Sequence, residues 1–354
     1  MASWCRLNAD WLRSISLKLK RLVRWNVPLV FVLLATLPFV AQALNEPFYI
    51  TFFARVLIFA LAACALNLVL GFAGLVSFGH AMFIGLGCYS VGILSYYGIS
   101  NGWIQLAVCV GVCMVVAVLV GTVCLRTSGI GFIMITLAFS QMLYFLMISL
   151  SDFGGDDGLT IYEASDFGLF KLAGSTQVYW ITLVVLLILV LFLDRLRSSP
   201  FGMVLRATRM NPRRVDAFGY SVFQVQLSAY VLSGVVTGLA GYLLANLTAF
   251  AAPSYIAWHV SGDLIVMIVI GGIGLVTGPI FGAIVLMSLE ELLKGWSTHW
   301  MLVMGPLIVL VALAGRNQFA GLRTFFNRPP TMAAAGSPEV ESTPKPRLMI
   351  GETQ

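Results

Sequence analysis

The segment between residues 194 and 226 is the one long polar, basic interruption in an otherwise apolar sequence. Its arginines are Arg195, Arg197, Arg206, Arg209, Arg213 and Arg214. Only Asp194 and Asp216 oppose them, and apolar runs long enough to cross a bilayer flank the segment. A loop this basic is retained on the inner side of a membrane. Helix formers followed by Pro212 and Gly219 predict one or two short helices. Two interpretations stay open: a loop that only sets topology, or a docking surface for a cytoplasmic partner.

Patterns typical of catalysis and metal binding are missing from the sequence. The histidines His80, His259 and His299 are far apart and lack ligand spacing. HExxH, GxSxG and the phosphate-binding GxxxxGK(S/T) do not occur, so we predict no enzyme activity and no cofactor or metal bound by this chain. Cys109 and Cys113 share one helix face, and without a nearby His or carboxylate we interpret them as small packing residues. The acidic stretch after residue 150 lacks the spacing of a calcium loop.

Two glycine-rich stretches, residues 71–87 and 271–282, interrupt the apolar runs and carry or adjoin polar side chains. Small residues let helices pack closely, and they also let a helix break inside a membrane. Both close packing and a role in a transport path fit the pattern. The candidate pathway residues are Gly74, Ser77, Gly79, His80, Asp263, Gly274 and Gly278. Gly274, Gly278 and Gly282 would line one helix face if the helix continues through Pro279.

Membrane-spanning helices are the elements that must position these groups. Of 354 residues, 59% are hydrophobic and only 10% are charged. Apolar runs of about 20 residues, without strand-like alternation, predict an all-α polytopic membrane protein. We expect about ten transmembrane or re-entrant helices, with both termini cytoplasmic. Arg55, about two turns into the second span, is expected to snorkel to the outer surface.

The distribution of charge divides the chain into regions. Residues 1–26 form a basic cytoplasmic arm, and residues 27–315 form the transmembrane domain. Within that domain, 151–177 is an acidic outer, periplasmic loop and 194–226 is the cytoplasmic loop. Residues 316–354 form a cytoplasmic tail, which we expect to be disordered from about residue 327. Because Ala41 and Ala43 resemble a signal-peptide cleavage site, the first apolar run is either a retained helix or a cleaved leader.

Several motifs, in one order, resemble the permease subunits of branched-chain amino acid ABC importers, specifically the LivM-like type. They are LNLVLGFAGLVSFGHAMFIGLGCY from Leu66, RTSGIGFIMITLAFSQMLYF from Arg126, GGDDGL from Gly154, SPFGMVLRATRMNPRRVDAFGYSV from Ser199 and DLIVMIVIGGIGLVTGPIFGAIV from Asp263. The resemblance implies that the loop at 194–226 carries a coupling helix that sits in a cleft of an ATPase. The matching residues are Arg206, Arg209, Asn211, Arg213, Asp216, Ala217 and Gly219. RNQFAGL from Arg316 departs from the run of Pro, a basic residue and Gly common in such permeases.

The same resemblance implies a heteromeric importer in the bacterial inner membrane. Its other parts would be a LivH-like second permease, two cytoplasmic ATPase subunits that use ATP and Mg, and a periplasmic substrate-binding protein. Branched-chain or other hydrophobic amino acids are the expected substrates, although related permeases serve urea, amides or aromatic carboxylates. A self-sufficient secondary transporter or channel is the rival from another class, and the shortage of buried carboxylates counts against it. We expect membrane lipid, and no nucleic acid, as a further partner.

Overall fold

A computed structural model describes residues 30–39, 47–168, 171–296, 302–306 and 309. All of these lie within one compact unit, residues 1–315. The predicted basic arm, the cleavage motif at Ala41 and Ala43, most of the last apolar run and the tail at 316–354 lie outside the described residues.

Most of the described residues lie in helices, as the apolar runs predict. The first are α1 (Val30–Phe39), α2 (Pro47–Asn67), which continues into a π-helical turn at Leu68–Ala73, α3 (Ala81–Tyr96), α4 (Gly102–Cys124) and α5 (Ile130–Ser149). The others are α6 (Ser175–Ser198), α7 (Pro200–Met210), α8 (Pro212–Ala217), α9 (Val222–Thr248), α10 (Trp258–Gly271) and α11 (Gly278–Trp296). Of the helices in the described ranges, 5 are long and apolar enough to cross a membrane. The all-α membrane class is confirmed, whereas the number of crossings and the sides of the termini stay predictions.

Helix α2 is the centre of this fold. Its apolar window is buried along its whole length, and it packs against α6, α9, α10 and α11. By contrast, α4 and α5 turn large apolar side chains outward, among them Leu119 and Met134. Water would disfavour such surfaces, whereas a bilayer would not, so these outer helices have the composition of lipid-facing spans.

Glycines let α9 pack closely against α3 and α4. A Cβ on Gly241 would fall inside contact distance of a carbonyl oxygen of α3, and one on Gly87 of α3 would meet the Gly238 carbonyl. Gly238 in turn faces Cys113 of α4, and the Cys109 thiol donates to the Gly238 carbonyl at 3.5 Å. The cysteines therefore serve as small packing residues here, and the glycine spacing in α9 marks a helix-packing surface.

Substituting Gly241 by Ala is expected to destabilise the protein by about 1–3 kcal/mol, because the new methyl group would push two buried helices apart. Gly111 in α4 is the matched control, since a Cβ there meets nothing within 4 Å. Gly111→Ala is expected to be neutral, or stabilising by up to about 1 kcal/mol, through helix propensity. Thermal unfolding of the detergent-purified chain, followed by size-exclusion fluorescence, measures both. Equal unfolding temperatures for the two variants would contradict the close α3–α9 approach.

The loop between α5 and α6 is ordered by short contacts. Strand β1 (Leu159–Thr160) pairs antiparallel with β2 (Phe250–Ala251), which follows α9. The backbone amide of Gly168 and the ammonium group of Lys171, which lies 3.0 Å from Asp166, hold the pKa of that carboxyl below its usual range. Across the described part of the chain, no group of three His, Cys, Asp or Glu side chains is placed to hold a metal ion.

Candidate functional site: a broken-helix junction and two short helices

The first break in the membrane helices separates α2 from α3. After the π-helical turn, the chain leaves helical geometry at Gly74, whose φ of 77° favours glycine, and regains it at Ala81. Neighbouring hydroxyl groups accept hydrogen bonds from backbone amides that have no helical partner at this break. The amide of Phe78 donates to Thr136 Oγ1 at 3.3 Å, and the amide of Ala81 donates to Ser261 Oγ at 2.9 Å. Buried amides without such acceptors would be costly in a membrane, so these hydroxyls stabilise the break.

The second break separates α10 from α11 and corrects one prediction. Gly274 has a φ of 82° and lies in the connection, while α11 begins at Gly278. A single glycine face through Gly274, Gly278 and Gly282 is therefore wrong. Proline removes an amide and clashes inside a helix, but it is tolerated in the first turn, which is where Pro279 lies. Gly278 and Gly282 instead allow α11 to contact the backbone of α10 closely.

Asn67, at the end of α2, joins the two breaks. Its Nδ2 donates to the Leu275 carbonyl at 2.8 Å, and its Oδ1 accepts from the Gly274 amide at 3.1 Å. Gly71 lies directly against this connection, since a Cβ on Gly71 would be 2.9 Å from the Gly274 nitrogen. We name the two breaks together, residues 68–80 and 272–277, the junction. Sequence reasoning missed Asn67, although an amide inside an apolar run is itself a signal of a buried polar contact.

A buried hydrogen-bond chain fixes the linker of the first break. The Ser233 hydroxyl donates to the Ala65 carbonyl at 2.6 Å, so it must accept from His80 Nε2, which lies 3.0 Å away. His80 Nδ1 lies 2.9 Å from the Ser77 hydroxyl and, in a neutral imidazole protonated at Nε2, accepts from it. His80 and Ser77 are fully buried. They hold the shape of the break, and in this conformation neither is open to a solute.

Two short helices follow α6, as the basic segment predicts. Helix α6 itself continues to Ser198, so the non-helical part of the segment is shorter than expected. The Ser199 hydroxyl accepts from the Gly202 amide at 3.2 Å, and Pro200 opens α7. Asn211 caps α8 in the same way. We name α7 and α8 together the docking helices. Gly219, with a φ of 84°, follows α8 as its sequence position suggests.

Arg209, in the last turn of α7, connects the docking helices to the junction. Its Nη1 donates to the Gly71 carbonyl at 2.6 Å. Gly74 leaves space for the arginine stem, because a Cβ there would be 2.6 Å from Arg209 Cγ. Of the predicted coupling residues, Arg206 instead folds back onto the Gly202 and Arg197 carbonyls.

The outer surface of the docking helices is both charged and apolar. Arg213, Asp216, Ala217 and Gly219 are exposed there. Met210, the last residue of α7, is 88% exposed, and Phe218, directly after α8, is 82% exposed. Sequence reasoning named neither. Large exposed apolar groups beside charges are typical of protein-binding surfaces. The sequence contained a signal for both, because each is an apolar residue inside a polar segment.

The predicted pathway residues fall into two places. Gly74 and Gly274 each lie in one of the two breaks of the junction, and Gly278 opens α11 next to the second break. Ser77, Gly79 and His80 lie in the linker of the first break. Asp263 lies apart, eight residues before the end of α10 and thus about 12 Å along the helix from the second break.

Comparison with known proteins gives one consistent family. The family described as "Branched-chain amino acid transport system / permease component" matches residues 48–312. The high-affinity branched-chain amino acid transport system permease protein LivM of Escherichia coli K12 is 27% identical over 281 residues, covering 73% of this chain and 66% of that protein. A probable LivM of Methanocaldococcus jannaschii is 25% identical over 52% of this chain and 64% of that protein. The fructose import permease protein FrcC of Rhizobium meliloti is 27% identical over 41% of this chain and 42% of that protein.

No solved structure matches this chain. The chain spans about two thirds or less of the length of the curated relatives that it matches. The family match nevertheless covers most of the chain and includes both breaks and the docking helices. The chain belongs to the branched-chain amino acid transport system permease family, and it is a multi-pass membrane protein.

Proposed function

We propose that this chain is a transmembrane permease subunit of an ATP-driven importer for branched-chain or other hydrophobic amino acids. It would lie in the bacterial inner membrane with both termini and the docking helices cytoplasmic. Its partners would be a LivH-like second permease, two ATPase subunits that hydrolyse ATP with Mg, and a periplasmic substrate-binding protein. The names of the LivM relatives support the substrate class, and a probable LivH of M. jannaschii, 28% identical over 145 residues, supports kinship with a second permease type.

The observation that carries this proposal is the hydrogen bond from Arg209 to the Gly71 carbonyl. A permease without its own energy source must receive motion from another subunit. The docking helices offer exposed anchors to that subunit, and Arg209 fastens them to a place where two membrane helices are already broken. Broken helices bend more easily than continuous ones, because fewer backbone hydrogen bonds resist the movement. ATP-driven displacement of α7 would therefore change the junction first.

Co-purification tests the partnership. The tagged chain, extracted in mild detergent from its native membrane, is expected to bring a second permease and P-loop ATPases with it. Phe218→Asp and Met210→Asp should each reduce the recovered ATPase by about tenfold or more, because a charge replaces an apolar anchor. Tyr162→Asp is the matched control, since Tyr162 is 90% exposed in the loop before α6.

A different outcome would favour the rival class. If the intact chain is recovered alone and carries amino acids across liposomes without ATP, it is a secondary transporter or channel. If the ATPases co-purify but urea, amides or aromatic carboxylates are the solutes transported, the importer stands and the substrate class is wrong.

A further inference from the structure

A cavity of about 630 Å³ lies between α2, α10 and α11. It is at the other end of α2 from the junction, because Arg55 in its wall precedes Gly71 by sixteen residues, about 24 Å of helix. If the docking helices face the cytoplasm, this cavity lies in the outer half of the membrane domain.

The cavity wall contains charges of both signs. Arg55 of α2, Asp263 of α10 and Glu290 of α11 all line it. Glu290 is already paired, with Lys294 Nζ 2.7 Å from its Oε1. Neither Arg55 nor Asp263 has a hydrogen bond or ion pair with any residue in the described ranges, although the Arg55 guanidinium lies 5.8 Å from the centre of the Phe59 ring. Both residues are exposed to this space rather than packed in the core. Unpaired charges on apolar membrane helices are typical of sites that bind a charged solute.

The rest of the wall suits an apolar side chain. Phe59, Val260, Met267 and Met287 line the same space. A metal ion is a poor occupant, because His259, Asp263 and Glu290 also line the cavity yet form no metal-holding group among the described residues. Among its described residues, the wall therefore presents one cation and one carboxylate without an ion-pair partner, beside a flexible apolar surface.

We propose that this cavity binds an α-amino acid zwitterion. Arg55 would hold the carboxylate through two parallel hydrogen bonds, Asp263 would accept from the ammonium group, and the methionines would contact the apolar side chain. This inference rests on the proposed function and names a substrate site within it. The charge pattern requires both ends of the zwitterion, so 3-methylbutylamine and 4-methylpentanoate, which each lack one end of leucine, should bind at least about tenfold more weakly.

Cysteine protection tests the site directly. Ser254 is exposed and lines the cavity, and the cysteines among the described residues are buried. In the full complex in lipid nanodiscs without ATP, Ser254→Cys should react with a membrane-impermeant methanethiosulfonate, and leucine should slow that reaction. The unmodified complex gives the background rate. Arg55→Gln and Asp263→Asn, each added to Ser254→Cys, should each raise the leucine concentration needed for protection by about tenfold to a hundredfold.

Tyr162→Cys is the matched control, because Tyr162 is exposed and does not line the cavity. Leucine should leave its reaction rate unchanged. The proposed site is overturned if Ser254→Cys does not react, if leucine gives no protection, or if the two leucine fragments protect as well as leucine. Intact ATP-driven leucine uptake by the same complex would then leave the importer assignment standing. Absence of any ATP-driven uptake by the unmodified complex would overturn the assignment itself.

Discussion

Replacing Arg209 by Met is expected to lower ATP-driven uptake by about tenfold to a hundredfold while the complex still assembles. The substitution keeps an apolar stem of similar length but removes the donor to the Gly71 carbonyl. Hydrogen bonds from charged donors contribute about 1.5–3 kcal/mol, which corresponds to that range of equilibrium shift. The docking helices would still bind the ATPases, so ATP hydrolysis should continue. The expected signature is therefore uncoupling, measured as the ratio of solute imported to ATP hydrolysed in proteoliposomes.

Arg195→Met is the control for the loss of one positive charge. Arg195 is exposed in the last turn of α6, and its side chain forms no hydrogen bond or ion pair with another described residue. The Arg195→Met complex should import solute at the normal ratio to ATP hydrolysed. If Arg209→Met also transports normally, or if Arg195→Met is equally impaired, the Arg209 contact does not carry motion. Loss of co-purifying ATPase in Arg209→Met would instead assign Arg209 to docking.

Local signals in the sequence predicted the helices well. Apolar runs of about 20 residues predicted membrane helices, and α2, α4 and α5 have 21, 23 and 20 residues, because a buried or lipid-facing helix needs continuous apolar composition. Residues that begin or end helices predicted the docking helices. Pro212 begins α8, where the missing backbone amide costs no helical hydrogen bond. The cytoplasmic loop was expected to begin at residue 194, whereas α6 continues to Ser198. Charged residues continue a helix readily once it has left the hydrocarbon region, so hydropathy alone does not mark that boundary.

The junction could not be predicted, because its contacts are distant in sequence. Asn67 and Gly274 are 207 residues apart, and periodicity carries no information about such a pair. The glycine repeat at 274, 278 and 282 was misleading for a local reason, because Gly274 has a φ of 82° and α11 begins only at Gly278, where Pro279 is tolerated in the first turn.

The cavity shows the same limit of sequence reasoning. Arg55 was expected to snorkel to the outer surface, and that stays a prediction; in the structure it is exposed and lines a space shared with Asp263. Only the packing of α2 against α10 brings these two charges to one wall. The sequence marked Asp263 as unusual, because a carboxylate in an apolar run is energetically unfavourable. It did not indicate which residue of opposite charge would lie nearby.

Asn67→Leu should destabilise the protein by about 2–6 kcal/mol. Leucine fills a similar volume, but it leaves the Gly274 amide and the Leu275 carbonyl without their buried partners, and each unsatisfied group costs about 1–3 kcal/mol. Thermal unfolding of the purified chain measures the loss. Thr182→Val is the control, because Thr182 is equally buried but donates only to Val178 of its own helix. A variant at Asn67 that unfolds at the same temperature as the control would mean that water or a rearranged backbone replaces both bonds.

A double-mutant cycle joins the Asn67 and Arg209 predictions. Asn67 holds the second break against Gly71, and Arg209 holds the same Gly71 turn from the side of the docking helices. If the junction moves as one unit, breaking either contact already removes the mechanical connection. The double variant, made from the milder Asn67→Ser and Arg209→Met, should then impair uptake less than the product of the two single effects. Multiplicative effects would instead mean that the two contacts act independently. In that case Arg209 would transmit motion to α2 alone, and the second break would only stabilise the fold.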